Sequence, residues 1–197
     1  LEKFDQPKLP CSFDMLGEAA RTQSDVDFFF SAYENAIKKV GEKNAFLSES
    51  FHEISIKLSA IHPRYELLKK DRVMGELYER VLELSYQAAN QGIALTIDAE
   101  EQDRLELSLL LIEKLAKEKH LSDWNGLGLA IQAYGKRSPN IVGFVDGLGQ
   151  KRNGIMMRLV KGAYWDQEIK IHQTKGAEDL PVFTSKSFTD LNYLHTA

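Results

Sequence analysis

Asn90-Gln-Gly-Ile-Ala-Leu-Thr-Ile-Asp-Ala-Glu-Glu-Gln-Asp-Arg-Leu105 holds one full alternation of the chain's plan. Asn90-Gln91-Gly92 ends a helical pattern, because glycine tolerates the left-handed conformation that closes a helix. Ile93–Asp98 is a short, apolar, β-prone run. From Gln102 to Lys117 the pattern turns helical, with Leu105, Leu109 and Ile112 on one face. Outward from this stretch, Ser12–Leu16, Ile54–Ser59, Gly126–Ala133 and Ile155–Val160 read as further strands. Helices are predicted near Ser24–Val40, Tyr65–Asn90 and Pro139–Lys151, and Glu42–Ser50 and Lys175–Pro181 read as polar loops. Strands alternating with helices predict an α/β fold on a parallel sheet rather than a bundle or sandwich. There is no internal repeat, and one domain is expected over 1–197.

Polar residues on these strands carry the functional signal. Lys57, Asp98, Gln132 and Arg158 each lie on or at the end of an otherwise apolar run, on four consecutive strands. Both faces of a parallel sheet are ordinarily buried, and an unpartnered buried charge costs several kcal/mol. Four such residues therefore predict a shared polar pocket at the strands' C-terminal ends, where barrel enzymes keep their sites. The alternative is an ion-pair network, Lys57 with Asp98 for example, that only ties strands together. A second signal is Arg158-Leu-Val-Lys-Gly-Ala-Tyr-Trp165. There glycine lets backbone approach a ligand, Lys161 can meet phosphate and Trp165 offers a stacking face, although a turn with core aromatics reads equally well. The acidic run Asp98–Asp103 is expected to favour the dipole of the next helix.

The 197 residues are 43% hydrophobic, enough for a real core. A net charge of -4 gives no basic excess for a phosphate backbone, so no nucleic-acid partner is expected for this segment. No run approaches the ~18 apolar residues of a membrane span. The histidines show no metal spacing, and no metal site is expected. The single cysteine, Cys11, reads as a buried structural thiol in a reducing compartment. The chain begins at Leu1 rather than Met and stops at Ala197 in a helical pattern, which reads as an excised piece.

At these positions the sequence resembles the proline dehydrogenase domain of the bacterial bifunctional proline utilisation flavoproteins. The resemblance runs in order through Phe13-Asp-Met-Leu-Gly-Glu-Ala-Ala20, Ser55-Ile-Lys-Leu-Ser-Ala60 with His62-Pro-Arg-Tyr65, Asp98-Ala-Glu-Glu101 with Asp103-Arg-Leu-Glu106, Gln132-Ala-Tyr134 and Arg158–Trp165. It implies a (βα)8 TIM-type barrel, with about five of the eight βα units in this chain. It also implies FAD at the barrel's C-terminal mouth and oxidation of L-proline to Δ1-pyrroline-5-carboxylate by hydride transfer to flavin N5, the flavin being reoxidised by quinone. The parent protein is then expected in the bacterial cytoplasm, peripheral at the inner face of the plasma membrane, with other domains in its chain.

By the same resemblance Lys57, Asp98 and Arg158 are catalytic, with Arg158 beside flavin N5. Ala99, Gln132, Val160, Lys161, Gly162, Ala163, Trp165, Thr184 and Lys186 bind the cofactor. Lys57, Asp98 and Tyr164 shape the substrate pocket, with Asp14 and Glu18 at its entrance. The family's arginine pair that clamps the substrate carboxylate, and a Thr-His that touches FAD, fall after Ala197, so the chain is expected to be truncated at its C-terminal end and inactive by itself. Two rival readings are a fragment that binds neither flavin nor proline, and a barrel aldolase using Lys57 as a Schiff-base nucleophile.

Overall fold

The computed structural model describes residues 9–44 and 52–197, excluding the side chain of Asn44. In chain order, β1 (Ser12–Asp14) leads to α1 (Gln23–Asn44), β2 (Glu53–Ile56) to α2 (Tyr78–Asn90), and β3 (Ala94–Ile97) to α3 (Leu105–Ala116). Then β4 (Leu127–Gln132) leads to α4 (Ser138–Gly149), and β5 (Met156–Val160) to α5 (Trp165–Thr174) and α6 (Lys186–Thr196). The strands form one sheet in the order β1-β2-β3-β4-β5, every pair parallel. In a flat sheet β1 and β5 would lie roughly 19 Å apart, four strand spacings. Yet Arg158 Nη1 on β5 is 3.1 Å from Ser12 Oγ on β1. The sheet is therefore curled, as a partial TIM-type barrel.

Alternation along the strands decides which face is which. Ile54, Ile56, Leu95, Ile97, Leu127, Leu129 and Ile131 point outward into one core with Ile37 of α1, Val81 and Leu84 of α2, Leu111 and Leu115 of α3, and Val145 of α4. The intervening residues face inward and, Met156 and Val160 apart, are small or polar: Ser12, Asp14, Glu53, Ser55, Ala94, Thr96, Gly128, Ala130, Gln132 and Arg158. One inner row pairs Asp14, Ser55, Thr96, Gly128 and Met156 in register. Gly128 is required there, since a Cβ would stand 2.5 Å from Thr96 Oγ1. The polar residues are thus one complete face, not single intrusions on strands apolar on both sides.

Several expected boundaries shift. β1 stops at Asp14, leaving Leu16 exposed, and β2 stops at Ile56, where the 3-10 turn Leu58–Ala60 begins. Lys57 and Asp98 therefore sit just past their strands. The helix predicted over Tyr65–Asn90 starts at Leu67 and contains a π-helical turn at Val73–Leu77 around Gly75, a poor helix former. α1 runs on through Glu42–Asn44, expected as loop, and the rest of that expected loop to Ser50 lies outside the described residues. α5 was not predicted, and Cys11 is half-exposed rather than buried.

Among the described residues both outer strands, β1 and β5, have one unpaired side, and Met157, Phe188, Leu191 and Leu194 are exposed. Such edges recruit other chains. Residues 1–197 produced alone are expected to self-associate, giving a scattering mass above the 22.4 kDa monomer. A monodisperse monomer in size-exclusion chromatography with light scattering contradicts this.

Candidate functional site

Register explains how the charged residues meet. Ile56 pairs with Ile97, Ile97 with Leu129, and Ala130 with Arg158. One residue further on, Lys57, Asp98, Ala130 and Arg158 share a level, and the small Ala130 leaves Arg158 a path to Asp98. Lys57 Nζ lies 2.9 Å from Asp98 Oδ2 and 2.8 Å from Asp14 Oδ1. Arg158 Nη2 donates to Asp98 Oδ1, while Nη1 donates to Ser55 Oγ at 2.8 Å and meets Glu53 Oε1 at 3.3 Å. The Lys57 backbone N–H donates to the hydroxyl of Tyr33 on α1, 3.0 Å away, and burial pushes that phenol up to about 12.

Burial works against the Lys57 ammonium, but Asp14 and Asp98 more than offset it and hold the group well above the usual lysine range. Lys57 is therefore a fixed cation at neutral pH. A nucleophilic lysine needs the opposite shift, so this setting opposes the Schiff-base reading.

Gln132 lies one inner step higher on β4 and does not touch this cluster. Its Nε2 donates to Glu100 O at 2.8 Å and its Oε1 accepts from Ala163 N at 3.0 Å, so it ties the loop after β3 to the loop after β5. Glu168, 1% exposed on α5, adds a second tie by accepting the Gln102 N–H at 2.6 Å. Ala99 lies between Asp98 and Glu100 and lines a small cavity with Gln132. Val160 ends β5, its carbonyl accepting the Ala133 N–H at 2.8 Å.

Beyond β5 the chain turns at Gly162, whose φ is +132; a Cβ there would fall 1.6 Å from the Tyr134 ring. Only glycine fits both the angle and the space. This turn walls a cavity of about 330 Å³ lined by Tyr134, Lys161, Gly162, Trp165, Thr184 and Lys186. Lys161 and Lys186 share one carboxylate, Asp190, at 2.5 and 2.7 Å. Across the mouth, the Tyr164 hydroxyl donates to Glu18 Oε2 at 2.7 Å. Burial, and then Glu18, raises that phenol far above its ordinary range.

The sequence-predicted residues thus form two neighbouring groups. Lys57, Asp98, Arg158 and Asp14 make the charged row, while Lys161, Gly162, Trp165, Thr184 and Lys186 line the cavity. Gln132 and Ala163 bridge loops, and Glu18 pairs with Tyr164 rather than with Asp14's cluster. The acidic run departs from its expected role: α3 begins only at Leu105, and Glu100 is a buried tether, accepting the Ser59 N–H at 3.0 Å and pairing with Arg104 at 2.8 Å. Glu53, Ser12 and Ser55 were missed; of the three, only Ser55 is marked by the inward-outward alternation of Ile54-Ser-Ile-Lys57. Among the described residues no group of three His, Cys, Asp or Glu could hold a metal ion, and no helix is long and apolar enough to cross a membrane.

A family model described as proline dehydrogenase matches residues 1–197. The bifunctional protein PutA of Salmonella typhimurium is 48% identical over 99% of this chain, and that of Rhizobium meliloti 50% identical over 98%. The chain spans only 15% and 16% of these two relatives. A crystal structure of a Bradyrhizobium japonicum proline utilization A mutant superposes with a TM-score of 0.91 at 47% identity, covering 96% of this chain and 20% of that one.

Because Asp98 serves Lys57 and Arg158 together, Lys57→Ala and Asp98→Ala in the full-length protein are expected to be non-additive, with a coupling of about 1–3 kcal/mol in urea unfolding. Two losses that simply sum contradict this. The raised folded-state value of Lys57 means its contribution is fully present below the unfolded value near ~10.4 and is lost only as pH rises through the higher folded value. The cost of Lys57→Met should therefore be equal at pH 6 and pH 9.

Proposed function

The chain belongs to the proline dehydrogenase family, and from that premise we propose that it forms the cofactor- and substrate-facing part of an FAD-dependent barrel domain that oxidises L-proline to Δ1-pyrroline-5-carboxylate. The observation that carries this reading is the juxtaposition, at the C-terminal end of one curled sheet, of a charged row built on Asp98 with a cavity bearing two lysines and a tryptophan ring.

The cavity suits the adenosine and pyrophosphate end of FAD. Lys161 and Lys186 face a single carboxylate, Asp190, so they retain positive charge for phosphate, and the Trp165 ring, partly exposed, offers a stacking surface. Val160, Gly162 and Ala163 bring backbone close, and Thr184 adds a hydroxyl. Ala99 and Gln132 would border the flavin's polar edge. FAD, when bound, supplies the hydride acceptor. Arg158 would lend fixed positive charge to the flavin, whose reduction builds negative charge.

On the substrate side, Lys57 and Asp98 form the polar floor of the proline pocket, Tyr164 its wall, and Asp14 and Glu18 its entrance. Oxidation of proline requires its amine to lose a proton. Lys57, held as ammonium, is unsuited to receive it. Asp98 is engaged by a cation on each oxygen, so the acceptor is water held beside the Lys57–Asp98 pair. In the full-length protein we expect quinone as electron acceptor, additional domains, and a cytoplasmic location with peripheral contact at the bacterial plasma membrane.

The full-length protein should purify yellow, with a flavin band bleached anaerobically by L-proline. A colourless protein with no extractable flavin overturns the reading. Arg158→Met should lower flavin content and slow bleaching by about tenfold or more while changing the proline KM less, because on this reading its charge serves the cofactor rather than the substrate. Wild-type flavin content with unchanged reduction rates would show that Arg158 has no such role.

A further inference from the structure

We propose that Glu53 is a positioning residue that sets how much of the Arg158 charge reaches the cofactor, an inference that rests on the flavin reading above. Glu53 opens β2 on the inner face, two inward steps below Lys57. Its carboxylate lies 3.3 Å from Arg158 Nη1, with side-chain exposures of 14% for Glu53 and 33% for Arg158. The same Nη1 also donates to Ser55 Oγ at 2.8 Å and Ser12 Oγ at 3.1 Å.

Three acceptors compete for an Nη1 that carries two hydrogens. The two serines already satisfy them, so Glu53 is not needed as a hydrogen-bond acceptor. Nor is it needed for charge balance. Lys57 and Arg158 are matched by Asp14 and Asp98, which leaves Glu53 as a surplus negative charge in a half-buried site. A surplus carboxylate there is unfavourable except through what it does to its one cation, since among the described residues Glu53 ion-pairs with Arg158 alone. It pulls the guanidinium toward the barrel floor and cancels part of its field at the mouth. Asp98 does the same from Nη2, but Asp98 is shared with Lys57 and cannot be changed without disturbing the substrate floor. Glu53 adjusts Arg158 from below and leaves that floor intact.

Glu53→Gln in the full-length, flavin-loaded protein tests this, because it keeps the shape and one acceptor while removing the charge. We expect a higher midpoint potential for the bound flavin. Inorganic sulfite, a probe that binds oxidised flavin more tightly beside positive charge and bleaches its visible band, should bind about tenfold tighter. In an Arg158→Met background the same step should have a much smaller effect. Should the Gln variant not fold, Glu53→Asp, which withdraws the charge by one methylene, decides the matter: tighter sulfite binding than wild type supports the proposal and equal binding overturns it. A folded, flavin-loaded Glu53→Gln protein with wild-type potential and sulfite affinity also overturns it. A wild-type protein that isolates without flavin sinks the functional reading itself, and this inference with it.

Discussion

Asp98 carries two cations at once, one on each oxygen, and most of the inner face is organised around that fact. A lysine and an arginine inside a curled sheet can be tolerated only if a carboxylate stands at their level. The parallel register supplies that level by bringing the residues after β2 and β3 into line with Arg158 on β5. The small Ala130 keeps the path open. The large aliphatic residues on the opposite face hold the strands to their helices, so the charged row can be polar without weakening the core.

The loops above the row are tied with similar economy. Gln132 and Glu168 each join the loop after β3 to the segment after β5, one by an amide and one by a buried carboxylate. Burial raises the Glu168 carboxyl, although the Gln102 N–H works the other way. Ser59 holds the first loop through Ala19 and Ala20, so Glu18 is delivered to Tyr164 from an anchored backbone. The mouth is thus framed by polar contacts between loops that are distant in sequence.

Much of this was legible in the residues. Lys57, Asp98 and Arg158 stood out because a charge on a β-prone run has few explanations, and the strand-helix alternation gave the fold class. Glu53 did not stand out, because it precedes the apolar run and reads as loop until the register is known. Glu168 and Asp190 lie on helices with ordinary polar composition, and nothing local distinguishes a carboxylate that turns inward from one in solvent. Gln132 was read as part of the charged pocket because sequence reveals the strand but not the height along it. One step of the pleat separates it from Arg158's row. The helix at Trp165–Thr174 was overlooked because its aromatic and β-branched residues weaken the helical signal.

Asp190 also has a thermodynamic consequence for the cavity. On the cofactor reading proposed above, its bridge to Lys161 and Lys186 would make it an internal competitor, an anion already in place where an incoming phosphate would go. Binding there would then be an exchange of one negative group for another rather than a capture by bare cations. Added salt screens the outgoing and incoming contacts alike. The ionic-strength dependence of such a site is therefore shallower than two lysines alone would give, and its selectivity rests on shape, the ring of Trp165 and the turn at Gly162, more than on charge.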